Sequence, residues 1–135
     1  MKKIPNGWLV FLLFSGLMIT GVDRSNISVT APAIMKDLGF DAGTMGIVFS
    51  SFFWAYLIFN IPSGFLADKF GSKVVYGVAA ILWSITTYFT GWASSLSVLV
   101  ICRFCLGIGE AAVFPVSSKI VNERFEPQAR GTVTG

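Results

Sequence analysis

Long uncharged stretches separated by short charged connections organise this chain. One runs from Ile4 to Val22, a second from Ala42 to Ala67 and a third from Val74 to Cys102. A membrane-spanning helix needs about 20 predominantly apolar residues, so the first two runs each suffice for a crossing. The third holds a helix, a turn and the start of another helix. Its turn is legible at Gly91-Trp92-Ala93-Ser94-Ser95, a small and polar cluster between Phe89 and Leu96. The pattern predicts four spans, near residues 7–35, 43–66, 74–92 and 96–120. A fifth is expected to start near Pro127, because proline is well placed at a first helical position. The chain stops at Gly135 inside that helix, so it is read as the N-terminal part of a longer protein, residues 1–135 forming a partial bundle whose C-terminal half is absent. A signal peptide is the competing reading of Met1-Lys2-Lys3 and the apolar run after it. That run is too long for one, and Asp23-Arg24 separates it from the cleavage-like Ala31-Pro32-Ala33.

Composition sharpens this into an all-α integral membrane protein. The 135 residues are 54% hydrophobic and 13% charged, with a mean hydropathy of +0.73, well outside the range of ordinary soluble domains. Lys2, Lys3, Lys69, Lys73, Lys119, Arg124 and Arg130 all fall on one side of the predicted spans, and Lys36 alone falls on the other. That asymmetry predicts a multi-pass protein of the cell (inner or plasma) membrane with a cytoplasmic N-terminus. The net charge of +3 resides in these flanks, so it speaks for topology and the lipid bilayer and not for nucleic acid. Histidine is absent, which removes imidazole bases and the commonest metal ligands. Cys102 and Cys105 make a lone C-x-x-C inside an apolar helix, too few ligands for a metal and better read as small buried thiols. No metal, cofactor or enzymatic activity is expected; no nucleophile elbow or metal cluster is legible.

Four ionised side chains stand within the spans: Asp23 and Arg24 in the first, Arg103 and Glu110 in the fourth. A charge in the hydrocarbon core costs about 2.5–3.5 kcal/mol on insertion scales, so four isolated ones would cost about 10–14 kcal/mol. They are expected to face an interior and to compensate one another, two acids against two bases. At about 1.5 Å of rise per residue, Asp23 lies roughly 25 Å from the start of its span and roughly 15 Å from the outer end. The fourth span runs the other way, placing Arg103 about 10 Å below the outer surface and Glu110 about 10 Å deeper. Contact between the first and fourth helices then predicts an Asp23–Arg103 pair, with Arg24 reaching for Glu110 or for a ligand. Arg103, Leu106, Gly107 and Glu110 follow i, i+3, i+4, i+7 spacing, so both charges share a face, with a glycine gap for a helix or a ligand. Pro115 removes a backbone hydrogen bond beyond Glu110 and is expected to bend the helix there. Two readings stay open: salt bridges that only fix helix register, and a transport site whose acids are switched by ligand arrival. Tyr56 and Asn60, i and i+4 on the second span, likewise offer interhelical or substrate contacts.

Between the second and third spans the chain reads Gly64-Phe65-Leu66-Ala67-Asp68-Lys69-Phe70-Gly71-Ser72-Lys73. This resembles the G-x-L-A-D-[RK]-x-G-x-[RK] loop of the major facilitator superfamily, in the position that family puts it. Arg103-x-x-x-Gly107-x-Gly109-Glu110-Ala111 with Phe114-Pro115, and Asp23-Arg24-x-Asn26 with Ala31-Pro32, resemble the fourth- and first-helix signatures of its anion:cation symporter family. With Arg130-Gly131, the resemblance covers nearly the whole chain. It implies the N-terminal part of that family's helical bundle, four spans plus the start of a fifth. The resemblance also implies roles: Asp23 and Glu110 as protonatable acids, Arg103 as ion-pair partner of Asp23, Arg24 on the substrate carboxylate and Tyr56 lining a sugar-acid pocket. Asn60 stands where some relatives carry glutamine. Within the loop formed by Gly64, Asp68, Lys69, Gly71 and Lys73, Asp68 matches an aspartate that docks against the C-terminal half and favours the outward-facing state.

The function implied is proton-coupled symport of a small organic anion, a sugar acid in the first instance, by a protein monomeric at full length. A facilitator or exporter of another small solute on the same fold is the alternative, against which Arg24 argues by repelling cations. A non-transporting truncated membrane protein is the third reading, since alternating access needs a second bundle.

Overall fold

The computed structural model describes residues 6–134, and every regular element among them is helical. Helix α1 spans Asn6–Leu38, α2 Ala42–Phe70, α3 Ser72–Thr90, α4 Leu96–Ala111, α5 Val113–Arg124 and α6 Pro127–Thr134. Lys2 and Lys3, part of the orientation argument, lie outside the described residues. Three stretches are long and apolar enough to cross a bilayer: Asn6–Leu38, Ala42–Phe70 and Leu96–Arg124, the last being α4 and α5 together.

Local chemistry sets the joints. After α1 the chain turns at Gly39, whose φ of 68° is open to glycine at little cost, and Phe40 N–H returns to the Met35 carbonyl at 2.9 Å. Asp41 then caps α2, its Oδ1 accepting from Thr44 N–H at 2.7 Å. Gly71, with φ 91°, is the whole hinge between α2 and α3. Ser95 caps α4, and Pro127 opens α6.

Helix α4 is the centre of the bundle because it carries two glycines on opposite sides. A Cβ at Gly107 would lie 2.5 Å from the Phe52 carbonyl oxygen and 2.9 Å from Ala55 Cβ, and one at Gly109 would lie 3.1 Å from Trp83 N. Small residues let backbones approach closely where lipid provides no hydrophobic drive between helices. Thus α2 packs on one side of α4 and α3 on the other. The register follows from the contacts. Helix α1 meets α4 in antiparallel sense, with Ile27 and Ala31 against Leu99, while Ser72 at the start of α3 reaches Glu123 at the end of α5 at 3.5 Å. Helix α2 runs parallel to α4 and its continuation α5, from Val48 beside Leu99 of α4 to Asp68 beside Lys119 of α5. The large apolar side chains of Phe53, Trp54, Ile61 and Phe65 on α2 remain exposed, as a lipid-facing surface requires.

The fourth span, read from the pattern as one segment near 96–120, is broken at Ala112 between α4 and α5. Pro115 accounts for the break: it has no N–H for the Ala111 carbonyl and its ring crowds that oxygen.

Candidate functional site

At mid-height, α1, α2, α3 and α4 bring the four intramembrane charges into one layer. Arg24 Nε donates to Glu110 Oε2 at 2.9 Å, joining α1 to α4 across 86 residues of sequence. The bridge is asymmetric: the Glu110 side chain is 0% exposed and the Arg24 side chain 40%. A cavity of about 250 Å³, lined by Leu17, Thr20, Arg24, Tyr56, Glu110 and Phe114, opens onto it. Glu110 Oε1 is buried without a hydrogen-bond partner, so one lone-pair set of this carboxylate is uncommitted.

Helix α2 provides the floor. Phe52, 1% exposed, lies under both guanidiniums, with Arg24 Cζ 5.3 Å and Arg103 Cζ 5.0 Å from its ring centroid. Tyr56, one turn on, stacks against Phe52 at 6.0 Å and sits 4.7 Å from Arg24 Cζ. Aromatic faces attract cations by their quadrupole, more strongly where water is excluded. Phe52 therefore offsets part of the cost of keeping two positive groups close together in a dry interior. Its i, i+4 relation to Tyr56 puts both rings on one face.

The expected Asp23–Arg103 ion pair is not formed. Among the described residues no carboxylate oxygen lies within 4.0 Å of the Arg103 guanidinium, and Arg103 Nε is buried without a partner. Asp23 instead accepts from Thr87 Oγ1 at 3.4 Å. Helix depth puts both groups at one level but does not register α3, which offers Asp23 a hydroxyl, or Phe52, which draws Arg103 onto its ring. Both side chains do line one cavity of about 530 Å³, with Asn26, Thr30, Asp37 and Thr87 among its walls. The charge layer thus separates two cavities, with Asp23 and Arg103 facing one and Arg24 and Glu110 the other.

Asn60, grouped from the sequence with the substrate contacts, is not among the residues lining the Arg24 cavity. Its Nδ2 donates to the Ala111 carbonyl at 3.2 Å. At the far end of the bundle, Asp68 accepts a salt bridge from Lys119, whose Nζ also lies 3.6 Å from Glu123 Oε1. Lys69 Nζ sits 5.4 Å from the Phe70 ring. Within this loop Gly71 is required by its positive φ, whereas a Cβ at Gly64 would meet nothing within 4 Å. The Lys73 side chain makes no hydrogen bond or salt bridge among the described residues. Arg130 ties α6 to α5, donating from Nη2 to the Asn122 carbonyl at 2.8 Å and from Nε to the Phe125 carbonyl at 2.9 Å.

No motif or spacing in the sequence marks Phe52, Thr87 or Lys119 as part of the site or its loop. Phe52 and Thr87 look like ordinary span residues, and only their place opposite α1 and α4 gives them a role. Lys119 was visible as a basic flank, but not as the partner of Asp68.

A family model of the Major Facilitator Superfamily matches residues 13–135. Among curated relatives, a probable galactarate/D-glucarate transporter of Pseudomonas putida is 38% identical over 93% of this chain and 29% of its own length. A probable sulfoacetate transporter of Cupriavidus necator is 40% identical over 87% of this chain and 27% of its own length. A D-galactonate transporter of Escherichia coli is 36% identical over 92% of this chain and 29% of its own length. The chain spans about three tenths of the length of these relatives.

Proposed function

The chain belongs to the major facilitator superfamily, and on that footing we propose that it supplies the coupling half of a proton symporter for small organic anions. In this reading α3 is a further span beside the three long apolar ones, and the basic flanks set the N-terminus in the cytoplasm. The observation that carries the reading is the Arg24–Glu110 bridge, closed to solvent on its acid side and open on its basic side.

The chemistry is an exchange of counter-ions. Arg24 uses Nε–H for Glu110, which leaves the N–H groups of its two terminal nitrogens to grip a carboxylate arriving through the cavity. A proton taken up by Glu110 removes the charge that holds Arg24, and the substrate carboxylate becomes its counter-ion. Departure of the substrate returns Arg24 to Glu110, and the proton leaves. Either way one negative charge faces one guanidinium, so neither state strands an unpaired charge in a low-dielectric layer. Asp23, held by Thr87 beside Arg103, is the second acid of this scheme. Tyr56 flattens the cavity wall against Arg24 and suits the apolar face of a sugar acid. Movement of this half against a second bundle about a midplane site would complete the cycle.

The relatives' names cover a sugar diacid, a sugar acid and a sulfonated acid, all small anions bearing a carboxylate that one exposed guanidinium can read. Proton movement tests the reading. Galactarate added to weakly buffered proteoliposomes holding the full-length protein is expected to alkalinise the medium, and Arg24→Ala to reduce that signal at least about tenfold. Galactarate uptake without accompanying proton movement would overturn it.

A further inference from the structure

Pro115 deprives a buried carbonyl of its donor, and a neighbouring helix replaces it. The carbonyl four residues before Pro115 is that of Ala111, a residue 0% exposed and set directly after Glu110. An unpaired carbonyl in an apolar interior is costly. Two side chains of α2 reach it: Asn60 Nδ2 at 3.2 Å and Ser63 Oγ at 3.4 Å. The Ser63 hydroxyl has one proton and makes its shorter bond, 2.6 Å, to the Asn60 carbonyl, so Asn60 is the principal donor. The two residues bracket Pro62, the proline inside α2. Two turns weakened by proline, one in each helix, are thereby joined at one level.

The joint lies in a continuous stripe. Phe52, Tyr56 and Asn60 follow i, i+4, i+8 on α2 and touch, in order, both guanidiniums, Arg24, and the turn that carries Glu110. A broken turn without an anchor has freedom to roll, and any roll at Ala111 is transmitted to the residue before it.

We infer that Asn60 is a positioning residue: its carboxamide pins the proline-broken turn of the fourth span to α2 and so holds the Glu110 carboxylate in line with Arg24. The positioning half of this inference rests on the coupling role proposed for Glu110; the pinning half does not.

Melting of the full-length protein in detergent tests the pinning. Asn60→Leu, which keeps the shape and loses the donor, is expected to lower the transition temperature by several degrees in the native background. With Pro115→Ala, whose restored N–H serves the Ala111 carbonyl, the same change is expected to cost less than about half as much. Equal losses in the two backgrounds would overturn the pinning. The pH profile of galactarate uptake tests the positioning. Asn60→Leu is expected to move its midpoint by about half a pH unit or more with KM changed less than about twofold, and Asn60→Gln, which keeps the donor on a longer arm, to bring it back. A raised KM with an unmoved profile would make Asn60 a substrate contact and overturn the positioning role. If Asn60→Leu does not reach the membrane, Asn60→Ala, which also loses the donor, carries both comparisons with the same expected directions. A wild type that moves no galactarate would defeat the transport reading, while the melting cycle would still decide the pinning.

Discussion

A methyl group at Gly107 would sit 2.5 Å from the Phe52 carbonyl oxygen and 3.2 Å from Tyr56 N, backbone atoms that cannot move without displacing α2. The floor beneath both guanidiniums would shift with it. Gly107→Ala is therefore expected to destabilise the protein by about 1–3 kcal/mol, the usual cost of overpacking, and to lower its melting temperature in detergent. Gly46→Ala, where nothing lies within 4 Å, should leave it nearly unchanged. Equal effects at the two glycines would sink the close-approach account. Gly107 was legible in the sequence as a gap between two charges on one helix face, but whether a ligand or a helix fills that gap was not. The spacing of α4 carries no information about which neighbour comes close, and α2 occupies the gap. The same reason hid the ring of Phe52 and the hydroxyl of Thr87: intramembrane charges announce a need for partners, and aromatic or hydroxyl partners do not announce themselves.

At the scale of single elements, caps and breaks fix where each helix begins and turns. The all-α membrane class was legible from uncharged runs of spanning length, because a bilayer core leaves a chain few other ways to satisfy its backbone. The break at Ala112 could be anticipated from Pro115; its repair by Asn60 and Ser63 could not, since it depends on the parallel register of α2 and α4. Asp41 shows how a cap joins structure to pH. Hydrogen bonding from Thr44, first through its side chain and then through its backbone N–H, favours the ionised form and holds the carboxyl below its ordinary value. A depressed acid stabilises the folded state fully above its unfolded value, and that contribution is lost as pH falls through the folded one. Asp41→Ala is expected to lower the melting temperature by a few degrees near neutral pH, and the gap to the wild type should narrow as the pH falls below the ordinary aspartate range. A gap that stays constant through that acid limb would contradict the assignment.

Across the whole molecule, the two ends and the middle do different work. One end gathers the basic flanks and ties the hinge loop down through Asp68 and Lys119. At mid-height the charge layer divides a cavity facing Asp23 and Arg103 from one facing Arg24 and Glu110. Helix α4 threads through the layer with close backbone contacts on both sides, so the layer cannot shift without the bundle. In the mechanism proposed for this site, Glu110 trades its hold on Arg24 for a proton when an organic anion arrives. The decisive comparison is accumulation of labelled galactarate in proteoliposomes under an inward proton gradient, between the full-length wild type and Glu110→Gln. The wild type is expected to concentrate galactarate above its external level, and Glu110→Gln to lose gradient-driven accumulation while still exchanging labelled for unlabelled substrate. Undiminished gradient-driven accumulation by Glu110→Gln would overturn the exchange at Glu110.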